Sequence, residues 1–193
     1  FDGVDDGLTV PAAAAQRPPA FTVVMCARVD SVAGNTVTGS AEDGMMVLAA
    51  QPNSGSGFAW ALYRTPAAAL VFEMADAASA TTVRAATPDG FVVPGRWYHL
   101  AAAFARPNMS LYVDGEAVAS AEFDRAADFA TANGPSFGRG GLANDGYFAG
   151  ALDDLRLYRV AVTAAQAAGL AQAGEDSDGD SLDNWREAAA GSS

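Results

Sequence analysis

The stretch Phe21-Thr22-Val23-Val24-Met25-Cys26-Ala27-Arg28-Val29-Asp30 puts Phe21, Val23, Met25, Ala27 and Val29 at alternate positions, with Thr22, Arg28 and Asp30 between them. Side chains alternate across a strand, so this period of two predicts a half-buried β-strand. Apolar runs bounded by Gly, Pro, Asn or Asp follow at Met45 to Ala50, Phe58 to Tyr63, Ala69 to Met74, Thr81 to Ala85 and Trp97 to Ala105. Short strands at such spacing predict an all-β sandwich or barrel. Leu111-Tyr112-Val113 and Ala117-Val118-Ala119 flank Asp114-Gly115, the pair favoured where a tight hairpin needs positive φ at both turn positions.

Farther along, Phe137-Gly138-Arg139-Gly140-Gly141 reads as a strand end entering a loop, and Tyr147 to Val160 as a long last strand. Its apolar parity changes between Leu152 and Leu155, which predicts a β-bulge at Asp153 and Asp154. Thr163 is a suitable N-cap for an Ala-rich run, Ala164 to Ala173, closed by Gly174, so a short helix is expected there. No internal repeat stands out, and the Ala12 to Ala15 and Ala67 to Ala69 runs reflect biased composition.

The chain has 193 residues, 50% of them hydrophobic, enough to bury a core of its own. Its 11 basic and 23 acidic residues give a formal net charge of -12. That balance disfavours nucleic acid and anionic membrane surfaces and favours cations as partners. Every basic residue is Arg, and Lys and Ile are absent, a bias expected of a GC-rich genome. The lone cysteine, Cys26, excludes an internal disulfide. No apolar run approaches the roughly 18 residues that span a bilayer, so no membrane insertion is expected, and the opening Phe1-Asp2-Gly3, without an apolar leader, reads as a mature or excised piece.

From Asp176 the chain reads Asp-Ser-Asp-Gly-Asp-Ser-Leu-Asp-Asn-Trp-Arg-Glu. Asp176, Asp178 and Asp180 fall at loop positions one, three and five, the Leu182 carbonyl at seven and Glu187 at twelve, which are the offsets of an EF-hand loop. Calcium takes six to eight hard oxygen ligands, and this spacing winds such oxygens around one point. Ser181 replaces the usual turn glycine at position six, while Gly179 at position four supplies flexibility. The loop resembles the aspartate-rich calcium units of thrombospondin type 3 repeats and dockerins. Calcium is therefore the expected cofactor, with residues 1–173 as the sandwich and 174–193 as calcium loop and tail.

The opening Phe1-Asp2-Gly3-Val4-Asp5-Asp6, the strand Gly95-Arg96-Trp97-Tyr98-His99-Leu100-Ala101, the hairpin Leu111 to Gly115 and the run Gly150 to Tyr158 together resemble the laminin-G-like jelly roll of the concanavalin A-like lectin and glucanase superfamily. The resemblance implies an antiparallel two-sheet jelly-roll sandwich with six or seven strands per sheet, and a first strand beside the last. It further implies a structural calcium where Asp2, Asp5 or Asp6 approaches Asp153 and Asp154, so Asp2 and Asp153 join the candidate metal ligands.

Retaining glucanases need two carboxylates about 5 Å apart, and the carboxylates here lack that spacing: Glu73 stands alone in its strand, and Glu122 and Asp124 are followed by Arg-Ala-Ala. His99 is the only histidine, and its place in the resembled strand is structural, so no catalysis is expected. The function expected is extracellular or cell-surface recognition or adhesion, with a glycan or surface protein as ligand. Trp60, Tyr63 and Tyr147 are the candidate stacking aromatics, because a sugar ring is held by a flat aromatic face. The alternative is a structural subunit of a calcium-stabilised fibre or layer, with copies of the chain as partners.

Overall fold

The computed structural model describes residues 1–30, 44–53, 57–76, 81–129, 133–140 and 146–172. Its strands are β1 (Leu8–Thr9), β2 (Ala20–Val29), β3 (Met46–Pro52), β4 (Phe58–Arg64), β5 (Leu70–Ala75), β6 (Thr82–Ala86), β7 (Trp97–Ala105), β8 (Asn108–Val113), β9 (Glu116–Glu122), β10 (Ser136–Phe137) and β11 (Gly150–Tyr158), followed by the helix α1 (Ala164–Gln172). One sheet has the order β1-β10-β3-β4-β5-β6, the other β11-β2-β7-β8-β9. Every pairing is antiparallel. The jelly-roll sandwich expected from the sequence is what forms, with six and five strands among the described residues where six or seven each were expected.

Alternation builds the core. Phe21, Val23 and Met25 of β2 face Trp60, Leu62 and Phe72 of the other sheet, with Phe21 rings 5.4 Å from Trp60 and 5.8 Å from Phe104. Facing apolar rows at this density are what two packed sheets require. The strand β2 is not half-buried, however. Its outward row is covered as well, because Val24 joins Ala101, Ala103 and Tyr112 in a second cluster under Ala167 of α1. The period of two marks which side meets the core, but the helix arrives from more than a hundred residues away.

The local expectations hold at several points. Asp114 and Gly115 both have positive φ, 51° and 85°, and join β8 to β9 as the tight turn predicted. The register of β11 against β2 shifts between Asp153 and Arg156, and Asp154 has φ 50°, so the bulge lies where the parity changed. Thr163 caps α1: the Gln166 N–H donates to Thr163 Oγ1 at 3.3 Å, and the Thr163 N–H donates to Gln166 Oε1 at 2.9 Å, a reciprocal capping box. Leu8–Thr9, too short to signal itself by alternation, forms an unforeseen edge strand on β10.

Candidate functional site

The N-terminal segment crosses from one sheet to the other along the rim of the sandwich. At its start Asp2 bridges Ala149, the Phe1 ammonium donates to the Gly150 carbonyl at 3.0 Å, and the Gly150 N–H donates back to Phe1 at 2.9 Å. At its end Leu8 and Thr9 pair with Phe137 and Ser136 of the six-stranded sheet. The chain must therefore turn within Gly3 to Gly7. Gly3 has φ +82° with the Ala149 Cβ only 2.9 Å from where its own would stand, so both the backbone conformation and the space exclude a side chain there.

That turn gathers carboxylates. The Val4 N–H donates to Asp2 Oδ1 at 2.8 Å and the Asp2 N–H to Asp6 Oδ2 at 3.0 Å. Asp2, Asp5 and Asp6 each offer an oxygen within 4.8 Å of the others, and all three residues are exposed. Three like charges at this separation repel one another. Hard oxygen donors in an open cluster suit a calcium ion, with remaining positions open to water or ligand oxygens. Asp153 is not a member of the group. It stands opposite Cys26, and its Oδ1 accepts the Asp154 N–H at 2.7 Å inside the bulge, while Asp154 pairs with Arg156 at 2.6 Å. The expected pairing of the first and last strands does not form, since β1 pairs with β10 and β11 with β2. The segment ahead of β1 meets only the start of β11, through the Phe1–Gly150 hydrogen bonds and the Asp2–Ala149 bridge, four residues short of Asp153.

Beside the acidic turn lie two arginines. Arg28, at the end of β2, grips Asp30 through two hydrogen bonds of 2.6 and 3.1 Å, which holds the Asp30 carboxyl below the usual range. The Asp30 N–H donates to Ala149, so this pair borders Asp2. Arg139 stacks over Tyr147, 5.8 Å from the ring centroid. Tyr147 is half-buried and precedes by two residues the bridge partner of Asp2. Of the three aromatics singled out, it is the one that the fold brings to the acidic turn.

Trp60 and Tyr63 are elsewhere and enclosed, each 1% exposed. Trp60 points into the sandwich and donates its indole N–H to Gln51 at 3.3 Å. Tyr63, of opposite parity, donates its hydroxyl to Glu73 at 3.0 Å under the Arg84 guanidinium. Neither presents a face to a ligand, because Trp60 is packed in the core between the sheets and Tyr63 in a second buried cluster with Val47, Ala61 and Val71. The residues Asp176, Asp178, Asp180, Leu182 and Glu187 lie outside the described residues, as does the boundary at 173.

The groups considered for catalysis are occupied otherwise. Glu73 accepts from Tyr63 and from Arg84 at 2.6 Å, and Asp124 pairs with Arg106 at 2.6 Å. His99 is 2% exposed and sits directly opposite Cys26 on the outer face of its sheet. The Cys26 thiol is pushed up to about 12, chiefly by burial and then by the charges of Asp154 and Asp153. A thiol held neutral in this way is a small buried hydrophobe and a poor nucleophile. Sequence reasoning missed Arg139, whose only local signal was its place in a glycine-rich run.

A family model described as the concanavalin A-like lectin/glucanases superfamily, of laminin-G type, matches residues 2–168. The chain belongs to that superfamily, and its fold is of the lectin and binding-domain type. No curated protein sequence matches. Among solved structures, the binding domain of Paraclostridial Mosquitocidal Protein 1 is similar with a TM-score of 0.68 and 17% identity, over 89% of this chain and 42% of that one. A putative carbohydrate binding protein from Bacteroides ovatus gives a TM-score of 0.64 and 18% identity, over 86% of this chain and 45% of that one. The module CBM40 of the Ruminococcus gnavus IT-sialidase, bound to α2,3 sialyllactose, gives 0.64 and 13%, over 89% and 97%. The chain thus spans less than half of the first two. No helix among the described residues is long and apolar enough to cross a membrane.

Proposed function

We propose that the chain is a non-catalytic recognition domain, extracellular or at the cell surface, that binds a glycan at the rim where its N-terminal segment crosses between the sheets. The observation that carries this reading is the juxtaposition of a half-buried aromatic face, Tyr147 with Arg139, and an exposed cluster of hard oxygens, Asp2, Asp5 and Asp6. A flat ring and a bound cation are complementary ways of holding a sugar: one takes its apolar face, the other its hydroxyls. Calcium is the cation proposed at this turn, and a second calcium is proposed in the loop Asp176, Asp178, Asp180, Leu182 and Glu187 on the strength of its spacing. The carbohydrate-binding neighbours of the fold support a sugar as the ligand over a surface protein.

The test is a glycan array probed with the purified chain in calcium and in chelator, followed by calorimetry on the best ligand. Selective binding in calcium, weakened by chelation and by Tyr147→Ala, is expected. Uniform failure to bind, or binding indifferent to Tyr147, would sink the rim as a glycan site. Ordered polymers seen by electron microscopy only in calcium would favour the structural-subunit reading instead.

A further inference from the structure

Gly138 follows β10 with φ +75°, and a Cβ on it would overlap the ring of Phe1. The left-handed turn sends Arg139 out of the sheet toward the N-terminal segment. Two hydrogen bonds fix that exit: the buried Ser136 hydroxyl donates to the Arg139 carbonyl at 2.9 Å, and the Phe148 N–H donates to the Gly138 carbonyl at 2.9 Å. The second draws Tyr147 alongside Arg139. The arginine stem then crosses Gly7, where a Cβ would overlap its Cγ and Cδ. Gly7 does not need its positive-φ freedom, so what glycine supplies at this position is space. Beyond that notch the guanidinium reaches the Tyr147 ring.

We propose that Arg139 is a positioning residue for Tyr147, seated in a notch left by glycine at position 7, so that Tyr147 offers one fixed face to a pyranose ring at the rim. The proposal rests on Tyr147 being the glycan platform. Gly7 directly follows Asp6, so the acidic turn and the aromatic platform share one mechanical link. With one face of Tyr147 covered by the guanidinium, the other face is the one assigned to the sugar. A rigid platform loses less freedom on binding than a swinging one.

The test follows the Tyr147 ring resonances by NMR in protein labelled at tyrosine, and titrates lactose and α2,3-sialyllactose as neutral and acidic probes. Gly7→Ala and Arg139→Ala are each expected to move the Tyr147 resonances while leaving the other four tyrosines in place, and to weaken the bound saccharide by about fivefold or more. Arg139→Lys, which keeps stem and charge but loses the planar fork that lies over the ring, is expected to restore the resonances and the affinity only in part. If Gly7→Ala or Arg139→Ala leaves the Tyr147 resonances unmoved, the positioning role is overturned. If the parent binds neither saccharide while Gly7→Ala still moves only Tyr147, the glycan reading fails and the positioning stands.

Discussion

Trp60 in the middle of β4 and Tyr147 just before β11 are aromatic residues in similar apolar, glycine-spotted surroundings of the sequence. The fold gives one an enclosed seat between two sheets and the other a half-open seat on the rim. The difference lies in their neighbours across the chain. Trp60 is hydrogen-bonded to Gln51 and packed on Phe21, so its environment is fixed by strands on both sides. Tyr147 is bounded by a loop and by a segment that only passes across the rim. A side chain's role here follows from where its strand ends, and not from its chemical type.

The largest expected effect lies on the enclosed side. Trp60→Ala removes the ring that Phe21 packs on and strands the Gln51 side chain, at a cost of about 3–5 kcal/mol. In a chain of this size that lowers Tm by roughly 10 °C or more. Tyr147→Ala is expected to leave Tm within a few degrees while abolishing saccharide binding. Thermal unfolding of both variants checks the contrast, and equal losses would erase it.

Next in size is the cation. Saturating calcium at about 100 times its Kd adds about 2.7 kcal/mol to a native state that alone binds it, so chelation is expected to lower Tm by roughly 5–10 °C. The triple substitution Asp2→Asn, Asp5→Asn, Asp6→Asn keeps a side-chain oxygen to accept the backbone N–H groups of the turn and removes its charge. It should cut the calorimetric stoichiometry by one and leave the ion of the 176–187 loop in place. In chelator the triple variant should unfold above the parent, since the repulsion among three carboxylates is gone. A stoichiometry unchanged by the substitution would leave the rim without its ion.

How much of this was legible depends on the range of the interaction. The Asp114-Gly115 turn and the Asp153-Asp154 bulge were readable because their signals are local: a dipeptide that tolerates positive φ, and a slip in a period of two. The covering of β2 on its outer face was not, since Val24 says nothing about a helix that begins at Ala164. The acidic cluster was half legible. The approach of the N-terminal segment to the end of the chain was anticipated, but β1 pairs with β10 and not with the last strand, and the register that places Ala149, and not Asp153, against Asp2 is set by the Phe1–Gly150 hydrogen bonds. Trp60 and Tyr63 looked available because a strand sequence does not say which strands flank it. Arg139 gave only the weak signal of a glycine-rich run, because its seat depends on Gly7, far away in the sequence.

A smaller effect separates the Cys26 thiol from an exposed one. Its folded value, about 12, lies above the ordinary 9.0, so the unfolded chain loses this proton first as pH rises. Stability contributed by the neutral thiol is full below about pH 9 and declines from there toward about 12. Cys26→Ala should flatten that alkaline decline, measured by denaturant unfolding at pH 8 and 10, and iodoacetamide should label the native parent far more slowly than the unfolded chain. An identical slope in the variant would show that other groups set the alkaline limit.

The smallest effect concerns α1, the element that closes the outer face. Gly169 sits inside the helix, and a Cβ there would meet nothing within 4 Å. Glycine in a helix interior costs up to about 1 kcal/mol relative to alanine, through the freedom the unfolded chain retains. Since only Ala167 and Ala171 of this helix are buried, α1 has little packing to spare. Gly169→Ala is therefore expected to raise Tm by about 2–3 °C and to slow amide exchange in Ala164–Gln172 without altering β4. If exchange slowed equally in β4, the helix and the sandwich would open as one unit, and the contrast between an enclosed strand and a lightly held border would not extend to α1.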